Sequence, residues 1–175
     1  TIQISNLPQS AAFVLLGLFA LVAKKVIDIV KARRVYARWA DKKPARYDRN
    51  MVVIGAGAAG LVTSYIAAAV KAKVTLVEAH KMGGDCLNYG CVPSKALIKT
   101  ATLVRQMRHS ADYGVATAQW TLDFAQVMER VAGIVKAIEP HDSVERYQSL
   151  GVDVVIGRAK IVDPWHVQIT ADDGQ

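Results

Sequence analysis

A chain of 175 residues, 52% hydrophobic, is long enough for one domain with a real core and an appendage. Its net charge of +7 is unevenly spread: residues 24–49 hold ten Lys/Arg against three Asp, which is the whole excess, and the rest balances at twelve against twelve. A neutral main domain argues against a nucleic-acid-binding surface, and the basic stretch must serve a neighbour.

The chain does not begin with Met, and Ala171–Gln175 reads as a turn just after a strand, so a fragment cut at both ends is expected. Residues 1–23 carry no charge, and Ala11–Ala23 is an unbroken apolar run of thirteen. A helix starting near Pro8, a residue suited to a first turn, lengthens this to sixteen. A full membrane span needs roughly 20 apolar residues, although Lys24 and Lys25 are placed to snorkel to the interface. Three readings stand: a transmembrane helix or the end of one, a secretory signal peptide, and a helix of a soluble protein. The basic residues follow the apolar run, which speaks against a signal peptide and marks a cytoplasmic side. The expected layout is a transmembrane segment over 1–25, a basic juxtamembrane linker over 26–49, and a cytoplasmic domain over 50–175. Val26–Trp39 reads as a basic, partly amphipathic helix that lies on anionic lipid or forms a solvated linker, and Pro44 ends it.

Asn50–Ile54 is a short apolar strand that runs into Gly55-Ala56-Gly57-Ala58-Ala59-Gly60. An Ala-rich helix over Leu61–Val70 follows, then a second strand over Lys73–Val77 that ends in Glu78. Glycines between a strand and a helix, with an acid at the end of the next strand, make a βαβ dinucleotide site. Gly55 permits the tight turn, Gly57 lets the backbone approach a pyrophosphate, and Gly60 allows close helix–strand packing. The helix N-terminus, with Ala58 and Ala59, faces the phosphate charge. Glu78 is placed to accept from ribose hydroxyls and disfavours a 2′-phosphate. This motif does not separate FAD from NAD.

The chain has only two cysteines, within Gly83-Gly84-Asp85-Cys86-Leu87-Asn88-Tyr89-Gly90-Cys91-Val92-Pro93-Ser94-Lys95. A four-ligand zinc site needs more donors than this pair and His80, so no metal site is expected. A structural disulfide is unusual in a cytoplasmic domain. Cys91 lies just before a helix predicted over Ser94–His109, whose N-terminus favours a thiolate, and Lys95 adds positive charge in its first turn. Gly83, Gly84 and Gly90 let the backbone bend so that the two sulfurs meet.

The segment from Gly83 to Lys95 resembles the active-site segment of class I pyridine nucleotide–disulfide oxidoreductases. Val92-Pro93-Ser94-Lys95 is closer to dihydrolipoamide dehydrogenases and mercuric reductases than to glutathione reductases. The resemblance covers about residues 48–175. It implies an α/β fold, the first part of a Rossmann-like FAD-binding domain, with FAD on the glycine motif. It also implies Cys91 as the flavin-side charge-transfer thiolate, Cys86 as the interchange thiol, and Lys95 near the flavin N5 edge. Gly84 and Asp85 fall beside the cofactor. Asp85 departs from the family's usual Thr and puts a charge near the isoalloxazine, and Tyr89 stands where Val or Thr is common. NAD or NADP would bind a domain beyond this chain, and a His–Glu acid–base pair would come from a homodimeric partner. The implied substrate is a dithiol or disulfide. The alternatives are a mercuric-ion-type metal reductase and a non-catalytic membrane-bound FAD redox sensor. Some bacterial members resemble this layout, with a membrane domain ahead of the reductase at the inner membrane.

Further along, Leu122–Ile138 has apolar residues at helical spacing, with Asp123, Glu129, Arg130 and Lys136 on its solvated face and Pro140 ending it. Val152–Ile156 reads as a buried strand. Gly157–Val162 and Trp165–Thr170 read as a hairpin about Asp163-Pro164. His109, His141 and His166 are not expected to be catalytic.

Overall fold

The computed structural model describes residues 9–116 and 119–171. The helix start expected at Pro8 and the turn expected past Ala171 lie outside the described residues. The chain divides into two compact units, Thr1–Ala45 with Asp163–His166, and Arg46–Val162 with Val167–Gln175.

The first unit holds α1 (Gln9–Tyr36), which passes into a 3-10 turn over Ala37–Lys42. The helix runs without a break through residue 25, where anchor and linker are expected to meet. No Gly or Pro interrupts the chain between Val22 and Tyr36, and Ala, Lys and Arg favour helix, so one helix carries both halves. Lys43 turns extended ahead of Pro44, as a residue before proline prefers. The apolar side chains of α1 are exposed, Phe13 at 73% and Phe19 at 71%. Among the described residues no helix is long and apolar enough to cross a membrane. The described residues therefore do not support the span expected over 1–25: thirteen apolar residues rise only about 20 Å, against a hydrocarbon core of about 30 Å.

The second unit is built on three parallel strands, β1 (Met51–Ile54), β2 (Val74–Glu78) and β3 (Val152–Ile156), with β2 in the middle. Met51 aligns with Val74, and Glu78 with Ile156. All five residues of β2 are buried, which explains an apolar run without alternation. Helix α2 (Ala58–Ala69) joins β1 to β2 and packs Leu61, Ala67 and Ala68 into a core with Val74, Leu76, Val152 and Val154. Ser64, fully buried in α2, donates its hydroxyl to the Gly60 carbonyl at 2.8 Å, so burial leaves no polar atom unpaired.

After β2 come α3 (Gly84–Asn88), α4 (Cys91–Arg108), α5 (Phe124–Ile138) and α6 (Val144–Ser149). Asp123, expected on the solvated face of α5, instead caps it by accepting from the Ala125 N–H at 2.9 Å. Arg130 reaches from α5 to the Ala96 carbonyl of α4 at 3.2 Å. Helices α3 and α6 span less than two turns, too short to leave a periodic signal. Strands β4 (Arg158–Asp163) and β5 (His166–Thr170) pair in a two-stranded sheet. Its turn is set by the Asp163 carboxylate, which accepts from the N–H groups of Trp165 and His166, both at 2.9 Å.

A polar clamp holds the N-terminal ends of the three parallel strands. Arg49 donates from Nε to Thr75 Oγ1 and from Nη2 to Asp153 Oδ2, both at 2.7 Å. Thr75 in turn donates to the same aspartate oxygen at 3.1 Å. The opposite, C-terminal ends are free to carry a site, where parallel sheets bind ligands.

Candidate active site

The glycine loop leaves β1 at its C-terminal end. Gly55 takes a φ of +97°, and its N–H donates to the Val77 carbonyl at 2.7 Å, locking the turn onto β2. A Cβ on Gly60 would overlap the Gly55 carbonyl oxygen, so this glycine is required by packing. At Gly55 and Gly57 a Cβ would meet nothing within 4 Å, leaving open space beside the backbone. Gly57 caps α2, and Ala58 and Ala59 form its exposed first turn. Their N–H groups have no partner within the helix and point along its positive end.

Glu78, buried at the end of β2, accepts from the Ala56 N–H at 2.6 Å and the His80 N–H at 2.8 Å. The carboxylate expected to face a ribose thus also has a structural duty. Each oxygen already holds the chain's own backbone, and each keeps a lone pair for a further donor.

The cysteine segment sits directly on this loop. Gly83 and Gly84 take φ values of +81° and +53°, which turn the chain back toward the glycines. A Cβ on Gly84 would lie 2.7 Å from the Gly57 Cα, so the two backbones touch. Cys86 is in the one-turn helix α3. Cys91, expected ahead of a helix beginning near Ser94, is the first residue of α4. Pro93 lies in the opening turn of α4, where a missing N–H costs nothing, so it does not delay the helix as expected. Lys95 consequently lies past the first turn. Gly90 bridges the two helices, where a Cβ would stand 2.9 Å from the Asp85 carbonyl oxygen.

The structure brings Cys86 and Cys91 together. Both are thiols, Cys86 half-buried and Cys91 exposed. The Cys91 side chain, hydrogen-bonded to Cys86, holds the Cys86 thiol above the ordinary cysteine range; burial adds to this, and the Lys95 charge opposes it. Asp85 is exposed in the first turn of α3, beside the contact between Gly84 and Gly57. His109 pairs with Asp112 at 3.4 Å and His166 with Asp163 at 2.8 Å, whereas the His80 ring reaches the Tyr89 hydroxyl at 3.4 Å, within the cysteine segment.

Two residues that the sequence reading passed over hold the segment in place. Asn88 donates from Nδ2 to the carbonyls of Met82 at 3.0 Å and Gly84 at 2.9 Å. Leu87 is 2% exposed and packs over Gly83, where a Cβ would clash with it. An apolar and an amide residue enclosed between two cysteines are the only signal in the sequence that could have marked them.

A model of the pyridine nucleotide-disulphide oxidoreductase family matches residues 49–173. The chain belongs to that family. The dihydrolipoyl dehydrogenase of Geobacillus stearothermophilus is 40% identical over 127 residues, covering 72% of this chain and 27% of the relative. A dihydrolipoyl dehydrogenase of Bacillus subtilis is 38% identical over 122 residues, covering 70% and 26%. The crystal structure of LpdA from Mycobacterium tuberculosis superposes with a TM-score of 0.60 at 27% identity, covering 71% of this chain and 28% of that one. The chain thus spans about a quarter of the length of the curated relatives it matches.

FAD and a pyridine nucleotide are the cofactors of the pyridine nucleotide-disulphide oxidoreductases. The residues present fit the adenosine diphosphate half of FAD. The space that Gly55 and Gly57 leave open admits a pyrophosphate against the N-terminus of α2. The buried Glu78 stands at the next strand end, where a ribose would follow.

Proposed function

We propose that this chain is the flavin-binding front end of an FAD-dependent disulfide oxidoreductase of the dihydrolipoamide dehydrogenase type. The observation that carries the reading is the contact of Gly84 with Gly57, which seats the dithiol segment on the dinucleotide loop. FAD, when bound, supplies a two-electron exchange between the thiols and a nicotinamide cofactor, NAD or NADP.

The chain's own residues supply the rest. Closing the Cys86–Cys91 bond releases two electrons and two protons, and opening it takes them up again. Cys86, the half-buried thiol, is assigned to exchange with a dithiol or disulfide substrate. Cys91, at the positive end of α4, is assigned to face the flavin. Lys95 supplies positive charge that favours the Cys86 thiolate. Gly55, Gly57, Ala58, Ala59, Gly60 and Glu78 would hold the FAD phosphates and ribose, and Gly84, Asp85 and Lys95 would serve its reactive end. The working protein is a homodimer.

We also infer that residues 1–25 anchor the protein to the bacterial inner membrane, with the redox unit in the cytoplasm. The support is an uncharged run followed at once by the chain's whole basic excess. The redox reading is tested by nicotinamide-linked oxidation of dihydrolipoamide by the full-length protein. Turnover abolished in both Cys86→Ser and Cys91→Ser supports it, and turnover retained in either refutes it.

A further inference from the structure

We infer that α1 and the 3-10 turn after it form a docking surface for anionic lipid, with charged headgroups as the ligand of its basic half. The inference rests on the membrane reading of residues 1–25 and is independent of the redox reading.

The first observation is the distribution of exposure. Val14, Leu18, Phe19 and Leu21 all stand at least 60% exposed, so the apolar half of α1 is uncovered. These residues do not share one stripe. At 100° per residue, positions 18, 19 and 21 alone point in three directions around the helix. A helix that is apolar all round is satisfied by immersion, and tilting of the continuous α1 brings the basic half that follows along the leaflet.

The second observation is charge. Between Lys24 and Ala45 the chain carries eight Lys/Arg against Asp28 and Asp41. Among the described residues none of these eight forms an ion pair, whereas Arg49, just beyond them, is committed to Asp153. Eight cations in twenty-two residues, none of them in an ion pair among the described residues, next to an uncovered apolar rod, are complementary to a negative leaflet. Each contributes where it lies near the surface, within a screening length of about 8 Å at physiological salt.

The third observation marks the level of the interface. The Arg38 guanidinium lies 3.7 Å from the Trp39 ring centroid, and Trp39 is half-buried. Tryptophan is enriched at headgroup depth, and the guanidinium over its ring adds a positive charge there. The apolar half of α1, this pair and the cations together assign the surface to a lipid leaflet over a second copy of the chain, which would bring eight like charges against eight.

The test is co-sedimentation of the 175-residue chain with vesicles of pure phosphatidylcholine and with vesicles carrying about one third phosphatidylglycerol. Binding is expected to be at least about 100-fold tighter to the anionic vesicles and to weaken steeply between about 0.1 and 0.5 M NaCl. Lys24→Gln, Lys25→Gln, Lys31→Gln, Arg33→Gln and Arg34→Gln combined, changes that preserve helix propensity, should bring it down to the neutral-vesicle level. Equal, salt-insensitive binding to both vesicles would overturn the lipid assignment while keeping the membrane reading. Binding to neither, with the chain self-associating in solution, would overturn both.

Discussion

Gly84 and Gly57, 27 residues apart in the chain, are in backbone contact: a Cβ on the first would stand 2.7 Å from the Cα of the second. This one contact places α3, which carries Cys86, on the glycine loop. It requires a residue without a side chain that also accepts a φ of +53°. Gly84→Ala should therefore destabilise the protein by about 1–3 kcal/mol, from strain in the left-handed region and overpacking. It should also impair flavin retention, because the obstructing atoms are backbone. Urea denaturation and flavin absorbance after gel filtration would show both.

Gly57 and Gly60 are two glycines of one motif with opposite duties. A Cβ on Gly60 would strike the Gly55 carbonyl, whereas one on Gly57 would project into open space. Gly60→Ala should lower the stability of the flavin-free protein by more than about 1 kcal/mol. Gly57→Ala should leave that stability within about 0.5 kcal/mol and reduce FAD affinity instead. Thermal unfolding with and without FAD separates the two.

The Cys86 thiol is held above the ordinary cysteine range, first of all by its hydrogen bond with Cys91. As the thiolate is the nucleophile, Cys86 in the flavin-free protein should alkylate slowly at neutral pH and speed up as pH rises past the usual cysteine range. Cys91→Ala removes the main cause and should shift this profile to lower pH. Lys95→Gln removes the opposing charge and should shift it higher. Iodoacetamide rates against pH, read at Cys86 by mass spectrometry, report both directions.

Arg49 beside Asp153 holds its carboxyl below the usual aspartate range, and Thr75 adds a second hydrogen bond. A depressed folded value means that the contribution to stability is present above the unfolded value of about 3.9 and is lost as pH falls through the folded value. Both side chains are over two-fifths exposed, so solvent screens the pair and its worth is at most about 1 kcal/mol. Asp153→Asn should cost about that at pH 7, and the difference from the unaltered protein should close below pH 4 or so. Denaturant midpoints at the two pH values check it.

The parts of the fold legible in the sequence are those whose signal is local. Met51–Ile54, Val74–Glu78 and Val152–Ile156 stand within one residue of their expected bounds, because buried parallel strands are plain apolar runs. The start of α4 was misplaced by three residues because Pro93 reads as a boundary, although the first turn of a helix accepts it. Helix α3 could not be seen, since its one turn is fixed by Asn88 and Gly84 and not by periodicity. Glu78 ends the second strand, but its hold on Ala56 and His80 depends on where the folded loop brings those N–H groups. At α1, composition pointed to a span, while the described apolar run is too short for one.

The order of the two thiols, Cys91 at the flavin and Cys86 at the substrate, is the central proposal for this site. Full-length protein loaded with FAD should, on anaerobic two-electron reduction, develop a long-wavelength charge-transfer absorbance that survives in Cys86→Ser and is absent in Cys91→Ser. The same band persisting in Cys91→Ser, or no band in the unaltered protein, would contradict it.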